Sequence, residues 1–355
     1  MMLSNKINAG RFFEDFILNE VIQHATPRSI TAGDCALYIA LTGSRNPLHC
    51  SEPFANSLGY KTTPVDDLLV FHIAFGKTVP DISVNAVANL GYADVRFLQP
   101  VFVGDTLSTS SQIIGLKQNS SGKSGVVWVR STSVNQRGEA VLSWVRWVMV
   151  HKNNVGIPAP ATVIPELPSF VAPENFSIPG YLSSHKFDQK VTGGRYFLED
   201  YQIGERINHP AGMTINPAEH SLATRLYQNN ARLHFDDHLM KTSNFGQRLV
   251  YGGVVISLCR ALSYEGLENA LSILAINGGA HANPSFAGDT IYTATEVKEA
   301  WALPKHADMG ALRLRMVGIK NMSPTEMTEI KTKEGYHPNV VLDLDYTVAM
   351  PRKGN

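Results

Sequence analysis

The sequence predicts an α+β chain built as a tandem duplication, each copy holding a short helix, a long buried helix and several antiparallel strands wrapped around it. Three observations carry this: an internal repeat, an apolar helical segment followed by β-branched runs in each copy, and a proline-rich segment between the copies. Residues 12–49 align with 197–234 at a constant offset of 185 and without a gap. Eleven of the 38 positions are identical, among them Asp15/Asp200, His24/His209, Leu48/Leu233 and His49/His234. Ordinary residue usage would give about two or three matches. Residues 100–106 match 284–290 in nearly the same register, and residues 141–150 are similar to 341–350. Two such copies make a duplicated domain rather than a solenoid.

The helices have start signals. In the second copy Asn216 suits an N-cap, Pro217 the first turn, and Glu219 completes a capping box. Thr31 and Asp34 form a weaker version in the first copy. The long apolar segments, residues 68–79 and 253–262, suit buried helices. Residues 126–129, 141–150, 290–297, 312–317 and 340–349 are rich in β-branched and aromatic side chains and read as strands. Connections too short for crossover helices make the strands antiparallel. Residues 119–122 and 321–336 read as hairpin loops, the latter an insertion of the second copy. Six of the 19 prolines fall between Pro158 and Pro179, which predicts an extended linker. The expected domains are residues 8–152 and 193–353, joined by 153–192, with the two copies packed as a pseudo-dimer within one chain.

Composition excludes several classes. Lys plus Arg and Asp plus Glu each total 31, giving zero net charge, against the clustered positive charge that non-specific nucleic-acid binding needs. Hydrophobic residues at 44% and charged residues at 17% argue against extended disorder. No stretch approaches the ~20 apolar residues of a membrane helix, and the polar residues 1–8 lack a signal-peptide core. A soluble cytoplasmic protein is expected, with neither a nucleic acid nor a membrane as partner. Cys35, Cys50 and Cys259 form no CxxC pair, so no disulfide framework or zinc site is indicated. Cys50 and Cys259 are expected to be small buried residues.

Both copies place a histidine at the end of the same element: Gly43-Ser44-Arg45-Asn46-Pro47-Leu48-His49 and Gln228-Asn229-Asn230-Ala231-Arg232-Leu233-His234. Residues 38–55 resemble the signature of the MaoC-like (R)-specific enoyl-CoA hydratases, which have the hotdog fold. In that family an aspartate five residues before the histidine shares the work of adding water to an enoyl thioester. Here Ser44 and Asn229 stand at that position. Residues 12–16, 67–72, 224–229, 250–253, 283–290 and 344–348 extend the resemblance across residues 10–353, to double-hotdog members of the family. The resemblance implies a hydro-lyase that reversibly converts mesaconyl-CoA (2-methylfumaryl-CoA), a branched C5 dicarboxylyl thioester, to β-methylmalyl-CoA. It implies no metal or redox cofactor, since CoA is part of the substrate, and it is compatible with a homo-oligomer. Another enoyl-CoA hydratase, a thioesterase or a non-catalytic acyl-CoA-binding protein are the alternatives, the last favoured by the two missing aspartates.

The second copy is the better candidate for the site. Negative charge must develop on the thioester oxygen during addition, and N–H groups at a helix N-terminus suit it. Tyr251-Gly252-Gly253 leads into the second long helix, and glycine admits a ligand close to the backbone. Asp66 and Asp67 stand there in the first copy and would repel an enolate. His234 is the candidate base, because imidazole exchanges a proton near neutral pH. Asn229 is the candidate to orient the water, since an amide donates and accepts. Five residues on one helix would separate the pair by roughly 140°, so the helix must end between them. Arg232, or else Arg225, is the candidate for the substrate carboxylate, which a guanidinium fork suits. His49 is expected to be structural, and His281 is left between structural and site roles. Gly104-Asp105 and Gly288-Asp289 are expected turns. His238, Asp236 and Asp237 cluster near His234 without a clear set of metal partners.

Overall fold

The computed structural model describes residues 6–354, so Met1 to Asn5 of the polar start lie outside the described residues. The first half runs β1 (Val21–Gln23), β2 (Arg28–Ser29), α1 (Ala32–Thr42), α2 (Pro47–Cys50), α3 (Glu52–Ser57), α4 (Asp67–Ile82), β3 (Ala86–Phe97), β4 (Thr106–Gln118), β5 (Ser124–Val134) and β6 (Ala140–His151). The second runs α5 (Gln189–Thr192), β7 (Arg206–Thr214), α6 (Pro217–Leu226), α7 (Asp237–Met240), α8 (Gly252–Leu262), β8 (Ile273–His281), β9 (Thr290–Leu303), β10 (His306–Lys320), β11 (Lys331–Thr332), β12 (Gly335–Tyr336) and β13 (Val340–Pro351). This is the predicted tandem α+β arrangement, a double hotdog in which α4 and α8 are the two long buried helices. Among the described residues no helix is long and apolar enough to cross a membrane.

The two sets of strands form one antiparallel sheet, in the order β1-β4-β5-β6-β3-β8-β13-β10-β9-β7, with β2 paired to the start of β4. The join is β3 with β8, where Tyr92 faces Gly279 and Val95 faces Ile276. Burial alternates along β5 as a half-buried strand requires. Residues 321–336 carry the small β11–β12 hairpin. Gly104 and Gly288 take positive φ in matching turns, and Asp105 and Asp289 accept the N–H of Phe102 and Phe286 at 3.0 and 2.8 Å. Between the halves, residues 153–192 lie over both. Val163 bridges Leu116, Phe170 stacks on Trp301 and Val171 is buried.

Two expectations change. The complete capping box belongs to the first copy: Thr31 Oγ1 accepts from Asp34 N–H at 3.2 Å, and Asp34 Oδ2 accepts from Thr31 N–H at 2.8 Å. In the second copy Asn216 Nδ2 donates to Glu219 Oε2 at 2.9 Å, so the longer carboxylate meets the cap's amide instead of its backbone. Cys259 is buried, but Cys50 is exposed. It ends the one-turn helix α2, whose inward face is taken by Pro47 and Leu48.

The core is shared between halves. Leu69, Phe71 and Ile73 of α4 belong to one apolar cluster with Val254, Ile256 and Leu258 of α8. Ser257 Oγ joins the halves further, accepting from Tyr38 OH at 3.0 Å and lying 3.1 Å from His72 Nε2. The tightest approach is at Gly76 of α4, where an added Cβ would lie 2.0 Å from Tyr227 O and 3.2 Å from Asn229 N. Helix propensity alone favours alanine there by about 1 kcal/mol. Gly76→Ala should nevertheless destabilise the protein by about 1–3 kcal/mol through overpacking, seen as a lower urea midpoint. An unchanged or higher midpoint would show that the crossing is not tight.

Candidate active site

The chain turns sharply after α6. That helix ends at Leu226, and Gln228 follows with φ of 52°. The helix thus stops before Asn229 rather than between Asn229 and His234. A short 3-10 turn, Arg232–His234, then carries the histidine inward. Asn229 and His234 are both buried, and both line one cavity of about 280 Å³.

His234 Nδ1 lies 3.0 Å from the carbonyl oxygen of Leu249. A carbonyl only accepts, so Nδ1 carries the proton and Nε2 keeps its lone pair. Burial pulls His234 down to about 4, with the Leu249 bond opposing, so the ring is neutral at pH 7. A neutral imidazole with a free lone pair is a base. Asn229 Oδ1 accepts the N–H of Ala231 at 3.0 Å, which leaves the NH₂ as the group free to donate. Toward the cavity Asn229 thus offers a donor rather than the donor and acceptor its amide could supply.

The N-terminus of α8 closes the site. Gly252 and Gly253 are its first two residues, whose N–H groups have no carbonyl within the helix to reach. Gly252 lines the cavity, and a Cβ there would lie 2.2 Å from the His281 ring. At Gly253 a Cβ would lie 2.7 Å from the His72 ring of the first half. Glycine is needed at both for close packing. His281 lines the cavity too, and its Nε2 is 3.0 Å from Tyr92 OH. Burial holds it at about 4.

The first copy repeats the frame without the opening. His49 Nδ1 is 3.2 Å from Pro64 O, as His234 is bonded to Leu249, fifteen residues on in each case. Asp67 stands where the second copy has Gly252. Its Oδ2 accepts Ile273 N–H at 2.7 Å and lies 3.9 Å from His49 Nε2. Burial raises Asp67 to about 6, with His49 opposing. The space beside His49 and Asp67 is two small cavities of about 20 and 30 Å³, against about 280 Å³ in the second half.

Residues 15–135 match the family described as the MaoC like domain. Over 352 residues, 99% of this chain and 100% of the relative, the sequence is 54% identical to a β-methylmalyl-CoA dehydratase of Chloroflexus aurantiacus. It is 52% identical to a mesaconyl-CoA hydratase of Cereibacter sphaeroides, covering 98% of this chain and 100% of the relative. The chain belongs to the MaoC-like dehydratase family. A solved structure of a MaoC domain dehydratase from Chloroflexus aurantiacus superposes with a TM-score of 0.96 at 55% identity, covering 99% of this chain and 100% of that one. A Mycobacterium tuberculosis protein with a double hotdog fold shares the fold at a TM-score of 0.72 and 24% identity, covering 96% of this chain and 98% of that one.

Within this family member, the structure brings His234, Asn229 and Gly252 to one cavity, with Gly253 directly behind. It does not bring Arg232 or Arg225 there. Both are exposed and neither lines the cavity: Arg225 sits in the last turn of α6, whose buried positions are His220, Ala223, Thr224 and Leu226, and Arg232 opens the 3-10 turn whose buried position is His234. Asp236 caps α7 through Leu239 N–H at 2.9 Å, and Asp237 lies 3.5 Å from Arg248, so neither faces His234. The guanidinium on the cavity wall is Arg146 of β6, joined by Asn89 and Tyr92 of β3. Burial lowers Arg146 to about 10, still charged at pH 7. Sequence reasoning missed it. The available signal was a single charge inside the otherwise buried strand of residues 141–150.

Burial also lowers His72 to about 3 and His209 to about 4. Unfolded histidines take up a proton near pH 6.5, whereas these and His234 stay neutral until about pH 4 or below. Between those values the unfolded state binds more protons, so stability falls as pH falls. The loss is about 1.4 kcal/mol per pH unit for each such histidine. Thermal midpoints should therefore drop steadily from pH 6.5 to 4.5, with no slope from these groups above pH 7.5. A constant midpoint down to pH 5 would contradict the buried neutral state.

Proposed function

We propose that the chain is a hydro-lyase that reversibly adds water to mesaconyl-CoA (2-methylfumaryl-CoA), giving β-methylmalyl-CoA. The two full-length relatives named above bear the names of the two directions of one reaction. The observation that carries the mechanism is the neutral His234 facing the same cavity as the α8 N-terminus.

The steps follow from the groups present. The thioester carbonyl oxygen accepts the Gly252 and Gly253 N–H groups, at the positive end of α8. Asn229 donates through its NH₂ to the oxygen of a water and fixes its position. His234 Nε2 takes one proton from that water as its oxygen bonds to the β-carbon. The electron pair of the double bond moves toward the carbonyl oxygen, forming an enolate held by the two N–H groups. The imidazolium of His234 then returns its proton to the α-carbon. One O–H and one C=C bond break, and one C–O and one C–H bond form. Dehydration runs the same steps backwards. This route uses side chains and backbone of the second half throughout. The reading places the enzyme among cytoplasmic CoA esters.

The test follows the absorbance of the conjugated thioester after adding enzyme to mesaconyl-CoA, with free thiol monitored in the same sample. The signal should fall without thiol release; thiol release would indicate a thioesterase instead. His234→Ala should lower kcat by ~10²–10⁴ with the fold retained by circular dichroism. Gly252→Ala keeps the N–H but puts its methyl 2.2 Å from the His281 ring; the shift this forces on the donor should lower kcat by up to ~10²–10³, the range for an oxyanion donor lost outright. Wild-type rates in both variants would overturn the assignment.

A further inference from the structure

Arg146 is a group in the cavity that the addition of water does not use. It lies on β6, in the half whose histidine is blocked by Asp67, and it is wholly buried. Its Nη2 donates to Thr78 Oγ1 at 2.8 Å, and both Nη atoms reach Ser83 Oγ at 3.4 Å. The guanidinium carbon lies 4.2 Å from the centre of the Phe75 ring. Its Nε has no partner. Two hydroxyls and a ring face compensate only part of a full buried charge, which is strongly unfavourable without a counter-ion.

Other arginines of the fold show the contrast. Arg313 pairs with Asp345 at 2.7 Å and Arg315 with Asp343 at 2.8 Å. Among the described residues, no aspartate or glutamate lines the cavity where Arg146 sits. Beside it are further unsatisfied groups. Asn89 has both amide atoms buried without partners, and so does the Tyr251 hydroxyl; both residues line this cavity. Asn89 is on β3, directly alongside β6, where Tyr92 pairs with Arg146 and Asn89 with Val148. The duplication does not require a cation there, since the corresponding residue of the second copy is Tyr346.

A straight-chain enoyl thioester would lay an apolar tail against this charge. A dicarboxylyl thioester brings the missing anion. We propose that Arg146, with Asn89 and the Tyr251 hydroxyl, binds the free carboxylate of the substrate, so that the half without the base recognises the acid end. This rests on the hydratase reading above. A guanidinium fork accommodates a carboxylate through two parallel N–H bonds, and the exposed Arg232 and Arg225 are not needed. The competing explanation is that Arg146 only packs at the C-terminal end of α4, where a cation is favoured.

Binding separates the two. Succinyl-CoA and butyryl-CoA are saturated C4 thioesters with and without a terminal carboxylate, and each is titrated as a competitor or by calorimetry. Wild-type enzyme should prefer succinyl-CoA by about 10- to 150-fold, the span of one hydrogen bond to a charged group. Arg146→Met should abolish that preference, and Arg146→Lys, which keeps the charge without the fork, should retain part of it. In turnover, the kcat/KM ratio of mesaconyl-CoA to crotonyl-CoA should fall by a similar factor in Arg146→Met. No preference in the wild type, or equal loss of both ligands in a folded Arg146→Met, would overturn the proposal in favour of packing. If Arg146→Met does not fold, the wild-type preference and its reduction in Arg146→Lys decide. A succinyl-CoA preference in an enzyme that does not hydrate mesaconyl-CoA would support the carboxylate site and overturn the reaction, so the two can fail separately.

Discussion

The antiparallel pairing of β3 with β8 is the constraint on which the rest depends. It makes one sheet of two copies and sets Tyr92 of the first half against His281 of the second. A cavity built by one copy alone would have walls from one set of strands. Here the pairing, with α4 crossing under Tyr227 at Gly76, puts first-half side chains on the wall opposite the α8 N-terminus. The cavity therefore has His234 and the α8 N-terminus from one copy and Arg146, Asn89 and Tyr92 from the other.

Duplication explains both the likeness of the halves and their division of labour. Each histidine is held by a carbonyl fifteen residues on, so the frame that presents an imidazole survives twice. What differs is the start of the long helix, Asp66-Asp67-Leu68 in the first copy and Tyr251-Gly252-Gly253 in the second. A glycine there leaves the helix N–H groups facing open space. Asp67 instead fills the space with its own carboxylate and takes up the N–H of Ile273. Beside it Asp66 Oδ1 accepts the Leu68 N–H at 2.9 Å, so the first copy's helix N-terminus is capped by its own carboxylate.

The electrostatics of the open site run in one direction. Burial keeps His234 and His281 neutral and leaves Arg146 charged. A base with its lone pair free, N–H dipoles and a cation together favour a substrate whose charge is negative, both before and during reaction. The absence of the usual aspartate fits this setting. Asn229 keeps a hydrogen-bonding group on the cavity wall and adds no negative charge there.

The sequence by itself determined the duplication, the helices, most of the strands and the histidine of the open half. These depend on local or periodic properties: Asn216-Pro217 starts a helix wherever it lies, and glycine at Gly252 bears on its own backbone. Reading the motif in order also singled out Asn229 and the contrast between Asp67 and Gly252. Which arginine enters the cavity was decided only by tertiary structure. Arg225 and Arg232 look apt because they neighbour His234 in the chain, yet Arg225 lies on the exposed side of α6 and Arg232 is exposed after the turn. Arg146 lies 88 residues before His234 and reaches the same cavity only through strand pairing and helix crossing. The capping boxes and Cys50 teach the same lesson on a smaller scale. Residue type sets what a group can do, but the direction in which it points is fixed by packing against distant segments, which local sequence does not encode.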